Sequence, residues 1–204
     1  LEKITEALDM DVHFPSYPTV KGYINEEYNS LGLQAYIPKI RTSTAQMEDL
    51  TIEMNNELDA LDLSVYVFNR LPKKNPTAAK IGDVKAHMNL TARENELDMT
   101  ISLDNTDSIR NAGEIQVGAL LQQYNNKPQA NIHIQPTEIV LNDSIWTINE
   151  SDIIYTVAEK KMDIRSFSIN TDFQRIAANG IASTDPNDSI EVELQNIDLQ
   201  YLLG

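Results

Sequence analysis

The chain has 204 residues, of which 16 are basic and 31 acidic, so its formal net charge is −15, and it has no cysteine. The length suffices for one large β domain or two small ones, and the acidity disfavours nucleic acid and anionic membrane surfaces as partners, because phosphate repels the chain. The lack of cysteine excludes disulfides, thiolate metal sites and cysteine nucleophiles, and leaves the redox compartment open.

The N-terminal residues 1–18 predict a short helix followed by a linker. Leu1, Ile4 and Leu8 recur at helical spacing, and Pro15 breaks the pattern. Such a helix would cover an exposed sheet edge or the end of an apolar trough. The chain starts without Met and has no signal peptide or run of 18 apolar residues, so we expect one β-rich segment of a longer protein whose membrane anchor lies elsewhere.

Residues 20–134 predict a first run of β-strands. Apolar and polar side chains alternate along them, which is typical of strands with one dry face. Asn and Asp dominate the loops and tolerate left-handed conformations, so a chain with only seven glycines can turn often. The loop at 72–76 contains two prolines and two lysines. The predicted strands are 20–24, 31–37, 50–54 and 61–67 (with a turn at 55–57), 81–90, 97–103, 114–121 and 130–134.

Residues 139–203 predict a second run of four or five antiparallel strands with no helix between them. Short apolar/polar alternations at 153–157, 162–169 and 173–181 predict strands that are separated by turns rich in Asn and Asp. The alternation slips by one residue between Ile164 and Phe167. A β-bulge at 165–166 would keep the apolar side chains on one face and would bend the sheet.

The spacing of turns and strands resembles the repeating unit of the TamB (translocation and assembly module) family of Gram-negative envelopes, which belongs to the AsmA-like group. The resemblance covers most of residues 20 to 203 and is a cadence of turns rather than a catalytic signature. It is carried by Asn142-Asp143 before Trp146-Thr147-Ile148, by an apolar strand that ends near Gly180, by Asp188-Ser189-Ile190-Glu191-Val192 and Asn196-Ile197-Asp198-Leu199, and upstream by 31–38 with 49–52 and 97–105 with 113–115.

The resemblance implies an all-β fold, in which an extended, curved antiparallel sheet forms a taco-like apolar groove. It also implies a periplasmic segment of an inner-membrane-anchored protein, acting as a passive hydrophobic conduit or scaffold and not as an enzyme. The conduit would carry phospholipid between the inner and outer membranes and support outer-membrane protein assembly and secretion. The implied partners are phospholipid acyl chains and, through parts outside this chain, an outer-membrane assembly protein of the Omp85 type.

Carried over position by position, the groove lining would comprise the apolar residues of the matching strands. Trp146 has a second interpretation, as an anchor that packs one repeat against the next with its indole N–H bonded to a turn carbonyl. The lining residues are Leu97, Met99, Ile101, Leu103, Ile132, Ile134, Trp146, Ile148, Met162, Ile164, Ile190, Val192 and Leu194.

Periodicity alone leaves a second architecture open, in which two sheets pack together and every apolar stripe is core. The function would then be a β-sandwich adhesion or carbohydrate-binding module. Its ligand platform would require exposed aromatic side chains clustered on one outer face, and a structural spacer is a third hypothesis. The candidate platform residues are Tyr17, Tyr23, Tyr28 and Tyr36.

No catalytic or metal-binding motif is evident, so the sequence predicts no cofactor. The histidines at 13, 87 and 133 lack metal-ligand spacing, and no phosphate loop, nucleophile elbow or paired-carboxylate motif occurs. The stretch 185–188, Asp-Pro-Asn-Asp, offers oxygens for calcium but lacks the other ligands and the glycine of a calcium loop, which favours an ordinary turn.

Three copies of the phrase Asp-Ser-apolar resemble an O-glycan acceptor used on exported proteins by some bacteria. They place candidate acceptors at Ser108, Ser144 and Ser189. The competing interpretation, a serine entering a strand from an acidic turn, is the more economical one.

Overall fold

The computed structural model describes residues 13–41, 46–57, 59–69, 83–105 and 109–197. These residues are nearly all β, which confirms the predicted fold class, and within them no helix has the length and apolar character needed to cross a membrane. The elements are β1 (Thr19–Asn25), β2 (Ser30–Arg41), β3 (Gln46–Glu57), β4 (Ala60–Asn69), β5 (Val84–Arg93), β6 (Glu96–Asn105), β7 (Ala112–Tyr124), β8 (Lys127–Ile134), β9 (Thr137–Leu141), β10 (Ser144–Ile148), β11 (Ser151–Thr156), a 3₁₀ turn (Val157–Glu159), β12 (Lys161–Asn170), β13 (Arg175–Ala182) and β14 (Ile190–Gln195).

All fourteen strands belong to one antiparallel sheet, in which neighbours along the chain are mostly neighbours in space. Two pairs of short strands continue each other. Ile134 of β8 pairs with Ser151 of β11. Three residues further along the same antiparallel pair, Thr137 of β9 pairs with Ile148 of β10. Therefore β8 with β9, and β10 with β11, each form one long strand interrupted by two residues.

Contacts divide the chain into two compact units. The first comprises residues up to Thr91 together with Ile101–Ala112, and the second comprises Ala92–Thr100 together with the residues from Gly113 onwards. In the first unit, β1 to β4 pair in sequence and place Leu33 beside Met54 on one side of the sheet. The other side is polar.

Polar contacts in the first unit lie on that second side. The Gln34 amide donates to the Glu53 carboxylate at 2.8 Å, and Ser64 Oγ lies 3.0 Å from the His87 ring nitrogen Nε2. The His87 ring also packs edge-on to Tyr66. These contacts join side chains of neighbouring strands, which is the usual unit of stabilisation across a sheet.

The turns use Asn and Asp where other proteins use glycine. Of the described non-glycine residues, eleven have positive φ and eight of these are Asn or Asp, which confirms the predicted turn chemistry. Asn142 and Asp143, at the β9–β10 turn, have φ of 51° and 61°. The short side chains of Asn and Asp make this left-handed conformation less costly than it is for most residues.

The predicted β-bulge in β12 is confirmed. Ile164 pairs with Gly180, whereas Phe167 pairs with Ala178, so β12 has one residue more than β13 over this interval. The extra residue is taken up at Ser166, whose φ is 59°. Ile164 and Phe167 consequently lie on the same face although their spacing is odd.

The β12 bulge is one of three at the same level of the sheet. Ile148 and Ile153 also share a face despite an odd spacing, and so do Ile134 and Ile139. The interruptions at 135–136, 149–150 and 165–166 thus form a line across three neighbouring strands. Bulges bend and twist a sheet locally, and matching them preserves the pairing of the strands between which they run.

The structure corrects three predicted boundaries. Residues 55–57, predicted as a turn, belong to β3, and the chain turns at Asp59, whose φ is 62°. Phe173, predicted as the first residue of a strand, precedes β13, and Val157 belongs to the 3₁₀ turn instead of a strand. The N-terminal helix, the loop at 72–76 and Ser108 lie outside the described residues.

Candidate functional site

One side of the sheet in the second unit is built almost entirely from apolar side chains. A row of directly paired positions crosses six strands, from β7 to β14: Ala119, Ile132, Ile153, Ile164, Gly180 and Ile190. We define the apolar face as the following apolar residues at paired positions on this side, among which the polar Thr137, Ser144 and Ser151 also lie: Val117, Ala119, Leu121, Ala130, Ile132, Ile134, Ile139, Leu141, Trp146, Ile148, Ile153, Tyr155, Met162, Ile164, Phe167, Ile169, Ile176, Ala178, Ile190, Val192 and Leu194.

The structure brings the predicted lining residues of the second unit together on the apolar face. The nine from β8, β10, β12 and β14 are all members of it. Gly118 of β7 pairs with His133 and therefore lies on the side opposite to the apolar face. A Cβ atom on Gly118 would have the carboxylate of Asp98, in β6, as its nearest neighbour at 3.7 Å, so Asp98 also lies on that opposite side. Leu97 and Met99 therefore point to the apolar side, and alternation puts Ile101 and Leu103 on the same side of their strand. Their role as a lipid lining stays a prediction.

The apolar face is only partly buried. Of its members, only Ile139 and Ile148 have less than a tenth of their area exposed, and Val192 on β14 is 59% exposed. Among the described residues no large side chain is fully buried. An apolar surface that extends over several strands and remains accessible usually marks an interaction site, because leaving it in water is costly.

The opposite side of the same strands, which we call the polar face, is hydrophilic and internally bonded. Gln122 donates to Gln129 at 3.1 Å, and Gln129 donates to Thr156 Oγ1 at 3.4 Å, so a ladder of polar side chains crosses three strands. The Arg165 guanidinium binds the carboxylate of Asp163 at 3.0 Å. Polar side chains bond to one another on this face, so the two faces differ sharply in what they can bind.

The perturbed carboxylates lie at the turns around these strands. A hydrogen bond and the charge of Lys127 hold the pKa of Glu159 below its usual value. Hydrogen bonds from the backbone and side chain of Asn187, both 2.9 Å, lower the pKa of Asp185. Asp185 is therefore the hydrogen-bond acceptor of a turn, and both carboxylates stabilise turns.

The four tyrosines of the carbohydrate-binding hypothesis do not all belong to one strand surface. Tyr23 pairs with Gly32 and Tyr36 with Thr19, which places both tyrosines on the same side of the β1–β2 hairpin. Tyr28 lies in the turn between these strands, and Tyr17 precedes β1. The Tyr36 hydroxyl donates to Asp49 at 2.7 Å, and this hydrogen bond raises the pKa of Tyr36.

The remaining candidate positions are spread over the second unit. Trp146 lies on the apolar face, directly opposite Ile139. Ser144 and Ser189 are exposed, as an acceptor would need to be, and their modification stays a prediction. His133 lies 2.9 Å from Asp152 and 3.5 Å from Glu150 on the polar face. In the described ranges no group of three or more His, Asp or Glu side chains is arranged to hold a metal ion.

Sequence reasoning missed part of the apolar face. Ile153 and Tyr155 on β11, and Phe167 and Ile169 beyond the β12 bulge, belong to it but were not among the predicted lining. Their alternation is present in the sequence. In each strand an extra residue shifts this alternation by one position relative to the residues that precede it. Continuing the alternation past the shift would have identified these four residues.

Comparison with protein-family models, with curated proteins and with solved structures gave no match. The resemblance to the TamB family accordingly depends on the turn and strand cadence of this chain alone.

Proposed function

We propose that this chain is a segment of a passive hydrophobic conduit or scaffold, whose sheet curves into an open groove with the apolar face as its lining. The observation that carries the proposal is the row of apolar side chains that crosses six strands while its members remain partly exposed. The intended occupants are phospholipid acyl chains moving between the inner and outer membranes. The periplasmic location and the role in outer-membrane protein assembly follow from the family resemblance.

The energetics of acyl-chain transfer favour such a surface. Each methylene taken out of water contributes about 0.8 kcal/mol, so a long chain crossing an aqueous gap needs shielding along its whole length. The members of the apolar face are aliphatic apart from Trp146, Tyr155 and Phe167, and none is charged at neutral pH. A surface without charged or hydrogen-bonding pockets holds the chain without fixing its register, which permits sliding.

Site-specific photocrosslinking tests the proposal with a matched pair of positions. Val192 on the apolar face is 59% exposed, and Ile145 on the opposite side of the sheet is 60% exposed. Each is replaced by benzoylphenylalanine, and the purified chain is irradiated with zwitterionic phosphatidylcholine vesicles. We expect a lipid-sized mass increase for the Val192 variant and little for the Ile145 variant.

The outcomes separate the proposal from its alternatives. Equal lipid labelling at both positions would indicate non-specific contact, and labelling at neither would mean that the apolar face does not take acyl chains. A carbohydrate-binding module would instead give saccharide-dependent NMR shifts at Tyr23 and Tyr36, which share one side of β1–β2.

A further inference from the structure

A second candidate site lies on the polar face, on the other side of the sheet from the proposed lipid surface. It is a cavity of about 830 Å³ formed by the β9–β10 hairpin and by the turn that joins β12 to β13. We call it the Phe173 cavity, after the aromatic residue in that turn. Its lining includes Phe173, Ile145, Glu138, Asp143 and Asp172.

Phe173 is displayed to solvent by a turn that is tied to β14. Its ring is 80% exposed, although burying an aromatic ring is strongly favourable. Its carbonyl accepts a hydrogen bond from the Asn196 side chain at 2.8 Å, and the Gln174 side chain donates to the Asn196 carbonyl at 3.1 Å. These hydrogen bonds fix the backbone of the turn from which the exposed ring projects.

The cavity has two apolar side chains surrounded by acids. Ile145 is 60% exposed beside Phe173, and the charged side chains of the lining are the acidic Glu138, Asp143 and Asp172. Among the described residues no Lys or Arg lines this cavity, whereas a second cavity of about 530 Å³ on the same face is lined by Lys127, Lys161 and Arg165 together with Glu159 and Asp163. The Phe173 cavity therefore repels anions and attracts cations, and its two apolar side chains offer a surface for an aliphatic group.

We propose that the Phe173 cavity binds a segment of a partner protein in which an Arg or Lys side chain adjoins an aliphatic side chain. The cation stacks on the exposed face of the Phe173 ring while Asp172 and Glu138 neutralise it, and the aliphatic group packs on Ile145. The acidic lining favours a basic segment over an acidic peptide. The apolar side chains of Phe173 and Ile145 favour such a segment over a small inorganic cation. The site is independent of lipid binding, since its residues point away from the apolar face.

NMR titration of the ¹⁵N-labelled full chain with acetyl-Leu-Arg-Leu-amide tests the site. The control peptide has citrulline in place of Arg, so it keeps the length and polarity of the side chain and lacks the charge. We expect shift changes at the backbone amides of the Phe173 cavity with the Arg peptide, about fivefold weaker binding of the citrulline peptide, and weaker binding of the Arg peptide as salt is raised.

Two variants assign the contact. Phe173→Ala should weaken binding of the Arg peptide about fivefold, because the guanidinium loses the aromatic ring on which it stacks. Tyr124→Ala, which removes another exposed aromatic ring, from the cavity lined by Lys127 and Lys161, should leave binding unchanged. Retained amide dispersion in both variants shows that the fold is intact.

Three results would overturn the proposal: equal affinity for both peptides, no shift changes with either peptide, or equal weakening by the two variants. Shift changes in the Phe173 cavity with neutral glucose oligomers but not with the Arg peptide would also overturn it, and would assign the cavity to a saccharide.

Discussion

Single residues decide how this chain turns. In the part of the chain that the structure describes, eight of the eleven non-glycine residues with positive φ are Asn or Asp, so most of these turns need no glycine. Gly180 is different, because its φ of 122° lies in a region that side chains rarely adopt, and it occupies a strand position on the apolar side of β13. The backbone oxygen of Ser189 would clash with a Cβ atom on residue 180. The close approach of β14 to β13 therefore requires glycine at this position.

Gly180→Ala should destabilise the protein by roughly 1–3 kcal/mol, because the new methyl group adds backbone strain to a clash with a neighbouring backbone. Gly118→Ala is the matched control. Its nearest contact would be Asp98 at an ordinary 3.7 Å, and alanine in a strand is roughly 0.5–1 kcal/mol better than glycine. Urea unfolding followed by circular dichroism gives both values. Similar midpoints for the two variants would contradict the role assigned to Gly180.

At the scale of the strand, the line of three bulges keeps the apolar face continuous. Without the extra residue at 165–166, Phe167 and Ile169 would point to the polar face, since a shift of one residue reverses every side chain that follows. The same argument applies to the interruptions at 135–136 and 149–150. The three interruptions therefore preserve one dry side across strands whose sequences change phase.

Ser166 is the residue at which the β12 bulge can be tested. Its φ of 59° is left-handed, so a β-branched side chain there should cost about 1–2 kcal/mol. We expect Ser166→Val to lower the free energy of unfolding by that amount and Ser166→Gly to preserve it. The check is a denaturant titration of the two variants beside the parent chain. A valine variant as stable as the glycine variant would mean that residue 166 is not left-handed in solution.

At the scale of the whole molecule, charge and apolar exposure oppose each other. The net charge of −15 keeps copies apart by repulsion, while the partly exposed apolar face favours association. The balance depends on pH, because 31 carboxylates supply the negative charge and their ordinary pKa values are near 4. Protonation removes repulsion and leaves the apolar face unchanged.

Self-association should therefore increase as the pH falls from neutral towards about 4, where the carboxylates become protonated. Static light scattering across this range measures it. Replacing both Val192 and Leu194 by Glu should delay the onset, because it adds charge to the apolar face, whereas Ile145→Glu on the opposite side should delay it less. If Ile145→Glu were as effective as the double variant, net charge alone would explain the association.

Most of the strands and the side that each presents could be predicted from the sequence. Leu97, Met99, Ile101 and Leu103 alternate with polar residues, and alternation of this kind is a local property that needs no knowledge of the partner strand. The slip after Ile164 was also visible, because an apolar residue appeared one position late. The extra residues at 135–136 and 149–150 were not predicted, since a polar interruption of two residues looks like a turn between separate strands.

Other parts of the candidate sites required the structure. Phe173 reads as the start of an apolar strand, but the Thr171 hydroxyl accepts hydrogen bonds from the backbone N–H groups of Phe173 and Gln174, at 3.2 and 3.0 Å, and holds a turn there. Its proximity to Ile145 depends on the pairing of β10 with β12, which no local pattern encodes. The Phe173 cavity was therefore invisible in the sequence.

Strands with one apolar and one polar face, and turns of Asn and Asp, are predictable from the sequence, because periodicity and turn propensity act within a few residues of the chain. The pairing of the described strands into one sheet, the matching of their phase changes across neighbours and the partial exposure of the apolar face are properties of the tertiary structure. Pairing and burial depend on residues far apart in the chain, so they follow from how the strands assemble and not from the pattern within any one of them.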